Sequence, residues 1–132
     1  MATFDLDICC PFGETSVLKM ESAVKDLHPG HHLTANKLPL EDTRSSFASL
    51  NNLCLQTDLG KLDCLSEVAG VGNFEEVRKQ SVVARLPYGD FRFLNIDALI
   101  AAKKTIGRER DLDAVRRLIA IKEKKAQQKD LF

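Results

Sequence analysis

The run Thr3-Phe4-Asp5-Leu6-Asp7-Ile8 alternates apolar and acidic side chains with a period of two, and the pattern stops at Pro11 and Gly13. Successive side chains of a strand leave opposite faces, so this alternation predicts a β-strand with Phe4, Leu6 and Ile8 turned to a core. Asp5 and Asp7 then share the other face, about 7 Å apart along the strand. Two carboxylates so close repel, and they persist only where solvent, a nearby base or a cation offsets the repulsion. A hard divalent cation such as Mg²⁺ answers that need, because it takes oxygen ligands and commonly keeps water and phosphate oxygens in its remaining positions. The competing explanation is an exposed strand face whose charges discourage edge-to-edge aggregation, and the two aspartates alone do not choose between them.

The rest of the chain reads as one α/β (α+β) domain over 1–132. At 132 residues and 14.7 kDa it is long enough for a core of its own but short for two. After the first strand, Glu14 or Thr15 opens a helix with Val17, Leu18, Val24 and Leu27 on its apolar side, stopped by Pro29 and Gly30. A polar connection, "HHLTANKLPLEDTRSS", leads to two short apolar runs around Asp58-Leu59-Gly60-Lys61, a hairpin signal. The "GVG" of Gly70 to Gly72 reads as a loop before a short helix, "NFEEVRKQ", capped by Asn73. "SVVARLPYGDFRFLNI" is a second hairpin, turning at Pro87-Tyr88-Gly89-Asp90. Helical periodicity follows from Ile96 to Ile106, breaks at Gly107 and resumes from Leu112 to about Gln127, with 122–132 a charged tail. Mixed strands followed by two C-terminal helices imply a mixed β-sheet with flanking helices.

Charge narrows the partners. Lys plus Arg and Asp plus Glu both number 19, so no global charge advertises nucleic acid or an acidic membrane. Residues 1–102 carry 9 basic and 14 acidic side chains and residues 103–132 carry 10 and 5, which makes the C-terminal quarter basic. Arg116, Arg117, Lys122, Lys124, Lys125 and Lys129 accompany Val115, Leu118, Ile119 and Ile121. This reads as an amphipathic helix with a solvated outer face; a nucleic-acid role has no interleaved aromatics to support it. Four cysteines without a C-x-x-C, two of them adjacent in apolar sequence, indicate buried thiols of a reducing compartment. No apolar run approaches the roughly 18 residues of a membrane span, and the acidic N-terminus lacks the pattern of a secretory signal. A soluble cytoplasmic domain is the expectation.

A third carboxylate bears on the first two. Asp63 lies in "GKLDCL", between apolar residues on the strand after the first hairpin. If that strand pairs beside the first, three aspartates converge on one sheet surface. Such a cluster can hold one or two metal ions and a polyphosphate, with the third carboxylate positioned to assist an incoming hydroxyl. Two other constellations are weaker. His28, His31 and His32 with a cysteine offer zinc donors without the ligand spacing zinc sites use, so a solvated loop is the default. Cys64 beside Asp63 has no identifiable partner base, and its alternating neighbours place it in a core.

The three blocks "TFDLDI", "LQTDLGKLDCLSEVAGVGNFEEV" and "IDALIAAKKTIGRERDLDAVRRL", in this order from Thr3 to about Leu118, resemble the minimal nucleotidyltransferase domains of bacteria and archaea. More narrowly, they resemble a branch sharing a T-x-D-hydrophobic-D strand, an L-G-x-hydrophobic-D-hydrophobic-L strand and a closing LI-x-x-K-x-x-x-GR-x-x-D helix pair. Aminoglycoside-modifying and toxin–antitoxin nucleotidyltransferases are distant relatives of that branch. The resemblance implies Mg²⁺-dependent transfer of a nucleoside monophosphate from an NTP to a hydroxyl acceptor. In it Asp5 and Asp7 match the metal-binding pair, and Asp63 the third carboxylate that completes the site or acts as base. Lys103 matches a residue directed at phosphate or at the carboxylates, and Arg108 and Asp111 match the closing helix pair; a structural ion pair is the other reading of Lys103.

The family also carries an upstream strand and helix with a Gly-Gly or Gly-Ser motif, whose small residues let backbone N–H groups approach the phosphates. The sequence opens at Met1 directly before the Asp5–Asp7 strand, so the expectation is a domain N-terminally truncated relative to the family, with its first strand at an open edge. Four readings follow: the natural start lies upstream of Met1, the element is supplied by another chain, the domain is catalytically degenerate, or two copies complete one another's sheets. The alternative to an enzyme is a non-catalytic interaction module, one half of a toxin–antitoxin-like pair or a self-associating domain.

Overall fold

A computed structural model describes residues 5–31 and 52–130. The described chain is mixed α+β and divides into two units, 1–67 and 68–132. Phe4 and the polar connection read from the sequence, apart from its first residue His31, lie outside the described residues.

In the first unit, strand β1 (Asp5–Cys9) precedes helix α1 (Glu14–Val24), which runs into a 3-10 turn at Lys25–Leu27. His28 ends that turn in the left-handed region, φ 52°, and Pro29 prevents continuation. Three strands follow: β2 (Gly30–His31), β3 (Asn52–Thr57) and β4 (Gly60–Leu65). They form one sheet in the order β1-β4-β3-β2, with β1 parallel to β4 and the other neighbours antiparallel. The β3–β4 hairpin turns at Asp58-Leu59, where Gly60 takes φ 127° and the Thr57 hydroxyl donates to the Gly60 carbonyl at 2.8 Å.

Alternation along the strands sends Leu53, Leu55 and Cys64 to one side, where they bury against Val17 and Met20 of α1. Ile8, Cys10, Phe12, Val24 and Leu62 close the rim of this core. Leu18, expected on the apolar side of α1, is instead exposed and Met20 takes its place. A helix advances about 100° per residue, so a side chain next to Val17 points well away from it, whereas Met20 at i+3 shares its face.

A short ribbon, β5 (Glu67–Val68) and β6 (Gly72–Asn73), carries the chain from the first unit into the second. Helix α2 (Phe74–Lys79) is capped as the sequence implies, Asn73 Oδ1 accepting the Glu76 N–H at 3.1 Å. Strands β7 (Ser81–Leu86) and β8 (Gly89–Leu94) pair as an antiparallel hairpin. Helix α3 (Ile96–Ile106) is capped by Asn95, whose Oδ1 accepts the Ala98 N–H at 2.8 Å, and it ends on Gly107 at φ 68°. Helix α4 (Glu109–Asp130) starts earlier than its apolar periodicity indicates. Asp111 accepts the Arg108 backbone N–H at 3.2 Å and so fixes the first turn from inside it, a polar signal that hydrophobic periodicity does not register. Ala98, Ile100, Ala102 and Val115 are buried in this unit. Among the described residues no helix is long and apolar enough to cross a membrane.

Candidate functional site

Parallel pairing of β1 with β4 sets Asp5 beside Lys61 and Asp7 beside Asp63, and antiparallel pairing of β4 with β3 sets Gln56 beside Lys61 and Cys54 beside Asp63. Register partners share a face, so two cross-sheet rows lie side by side: Asp5–Lys61–Gln56 and Asp7–Asp63–Cys54. Their face is the one opposite Leu53, Leu55 and Cys64. The three aspartates expected to converge are thus on one surface, with neighbouring strands about 4.8 Å apart. Asp5 and Asp7 are exposed and Asp63 is half-buried. Neither Cys54 nor Lys61 stood out in the sequence as part of this face. The signal was present in "NLCLQT", where Cys54 and Gln56 alternate with core leucines, but only the register says which carboxylate Cys54 meets.

The electrostatics of the row follow from that register. Burial pushes the Cys54 thiol up, and the Asp63 charge, a hydrogen bond to Asp63 and the Asp7 charge push it further. Cys54 is therefore a protonated S–H donor to Asp63 at neutral pH. On the core face, a hydrogen bond with Cys10 and then burial raise Cys64, while that contact lowers Cys10. Cys64, with no exposed surface, is a core thiol as its neighbours implied.

The three aspartates of this face offer carboxylate oxygens, the kind of donor a hard cation takes. Among the described residues no three His, Cys, Asp or Glu groups converge as a ready metal cage. Mg²⁺ does not call for one: it is commonly held by one or two carboxylates, with water and substrate phosphates completing an octahedron. Asp7 and Asp63 are adjacent on parallel strands and Asp5 lies two residues along the same face, so the carboxylates such a pattern draws on share one surface.

Lys103, Arg108 and Asp111 belong to the second unit. Asp111 is buried, with 2% of its surface exposed, and takes Arg108 Nε at 2.6 Å and Lys103 Nζ at 3.6 Å. The Arg108 hydrogen bond, aided by the Arg108 and Lys103 charges, holds the Asp111 carboxyl below the usual carboxylate range. This geometry favours the structural reading of Lys103: with Arg108 it neutralises a buried carboxylate where α3 passes into α4.

Of the three histidines considered for zinc, His32 lies outside the described residues. His28 Nδ1 lies 2.6 Å from Asp58 Oδ2, and His31 is the register partner of Leu55 in β2. The Asp58 contact raises the His28 imidazole above its ordinary value.

Set against protein-family models, curated proteins and solved structures, the chain matches none of them.

Proposed function

We propose that the acidic face of the first unit is a nucleotidyl-transfer site: Mg²⁺-dependent transfer of a nucleoside monophosphate from an NTP to a hydroxyl acceptor. The observation that carries this reading is the register of Asp7 with Asp63 on parallel strands, with Asp5 on the same face. When bound, Mg²⁺ would draw charge from the triphosphate and orient it for in-line attack. Asp5 and Asp7 would hold the ion, and Asp63 would complete the site or accept the acceptor's proton. The acceptor oxygen would form a bond to the α-phosphorus, the bond to the bridging oxygen would break, and pyrophosphate would leave. Lys61, next to Asp5, supplies a cation on the same face.

Titration with Mn²⁺ and ATP tests this directly. Amide signals around Asp5, Asp7 and Asp63 are expected to broaden selectively, and more so with ATP present. Combining Asp7→Asn with Asp63→Asn should weaken divalent-dependent ATP binding by about tenfold or more, the effect of losing roughly 1.4 kcal/mol of interaction. Unchanged binding in that double variant would sink the proposal. If binding is lost while no pyrophosphate forms with any hydroxyl acceptor in the wild type, the site binds without catalysing.

The non-catalytic interaction module is a second reading, favoured by one feature. Among the described residues β1 is the end strand of its sheet, and Leu6, on its apolar side, is 59% exposed. A partner strand adding to that edge would cover Leu6. Isolation of the chain from its native lysate without any associated protein would count against this reading.

A further inference from the structure

The β7–β8 hairpin has two unlike faces. Its register pairs Val82 with Phe93, Ala84 with Phe91 and Leu86 with Gly89, and alternation sets all of these on one side. The opposite side carries Arg85 paired with Asp90, and Arg92 pairing with Val83 while its Nη1 donates to Ser81 Oγ at 3.2 Å. That side is built for water. The first side holds no charged residue, yet Val82, Leu86, Phe91 and Phe93 on it and Tyr88 in the turn are 38–78% exposed. Tyr88 extends the aromatic row, meeting Phe91 edge-on with ring centroids 5.8 Å apart.

We propose that this face is a self-association surface on which a second copy of the chain docks through its own β7–β8 hairpin. Shape argues for a second copy. Two of the three cross-strand pairs set a large side chain on β8 against a smaller one on β7, Phe93 against Val82 and Phe91 against Ala84, and the third, next to the turn, reverses this with Leu86 on β7 against Gly89. Away from the turn the face is thus a ridge along β8 beside a furrow along β7. A two-fold axis running parallel to the strands lays each ridge over the partner's furrow, whereas an axis across the strands would stack ridge on ridge. An isologous contact needs such self-complementarity. The absence of charge on this face gives a nucleic acid or an acidic peptide nothing to pair with.

Area agrees. With side chains of this class presenting roughly 150–250 Å² each, the observed exposures leave on the order of 500 Å² of apolar surface per chain. Pairing two copies removes about twice that, near the lower limit of a specific interface before any rim is counted. The expected association is accordingly modest, in the micromolar range.

Sedimentation equilibrium of the full chain over a concentration series tests the proposal, with an isotope-filtered NMR experiment on mixed labelled and unlabelled protein. A monomer–dimer equilibrium is expected, with intermolecular contacts from the Phe91 and Phe93 rings to Val82 and Ala84 methyls. Phe91→Thr with Phe93→Thr keeps strand-forming residues and should weaken dimerisation by tenfold or more. Val82→Lys, which leaves β8 untouched, should do the same if the aromatic variant fails to fold. Val83→Thr on the opposite face should leave the dimer intact. A wild type that stays monomeric at ~200 µM, or a dimer indifferent to both Val82→Lys and the aromatic variant, overturns the proposal. A dimer joined through the β1 edge would be of the second kind.

Discussion

Gly70 shows how much one backbone position can demand. Its φ is 81°, and a Cβ built there would lie 2.3 Å from Thr105 Oγ1 and 2.8 Å from the Ala101 carbonyl oxygen. The threonine can rotate away, at the loss of its own 2.8 Å hydrogen bond to Ala101, but the carbonyl belongs to the α3 backbone and cannot. Gly70→Ala should therefore destabilise the second unit by about 2–4 kcal/mol, combining left-handed strain with overpacking, as measured by urea denaturation. The sequence identified "GVG" as a loop but not its contact with α3, since a glycine's neighbours across space leave no mark in its own stretch of chain. The same limit separated the aspartates from their surroundings. Asp5, Asp7 and Asp63 were legible as strand carboxylates from alternation alone, and the two rows they occupy were not, because Lys61 and Cys54 join them through register.

Elements with their own punctuation were legible almost to the residue. The Asp58-Leu59 and Pro87-Tyr88 turns, the Asn73 cap of α2 and the Gly107 end of α3 all appear where local chemistry puts them. Where an element is fixed by a polar contact rather than by apolar spacing, as at the start of α4, periodicity gave the wrong boundary. Asn95 deserves a test on these grounds. Its Oδ1 bonds the Ala98 N–H, and its own N–H donates to the Gln80 carbonyl at 2.8 Å, so it both opens α3 and ties the end of β8 to the end of α2. Asn95→Ala should cost about 1 kcal/mol through the lost cap alone, leaving the backbone tie in place. Asn95→Asp, which retains the acceptor, should restore most of that stability in the same denaturation experiment.

The two units are expected to answer pH differently. His28 has a raised value through Asp58, so its contribution is fully present below the unfolded value near ~6.5 and fades as pH rises through the folded one. Asp111 has a lowered value, so its contribution is present above ~3.9 and fades as pH falls through the folded one. His28 and Asp58 lie in the first unit and Asp111 in the second. Hydrogen exchange across a pH series should accordingly show protection in the second unit falling on the acid side, and in the first only a small alkaline fall around His28 and Asp58, whose contact is solvent-exposed. His28→Asn, which tolerates the left-handed φ, should flatten the alkaline fall and leave the acid one. The first unit carries a further property in its connectivity. Asp7 and Asp63 are partners across a parallel pair, so every residue of helix α1, β2 and β3 lies in the stretch of chain between them. Closing so long a loop is entropically slow, and here the strands that meet bring like charges together. The acidic face is therefore a property of long-range pairing: neither the β1–α1 segment nor the β3–β4 hairpin possesses it alone, and any ligand it holds rewards only a chain in which β1 and β4 have met.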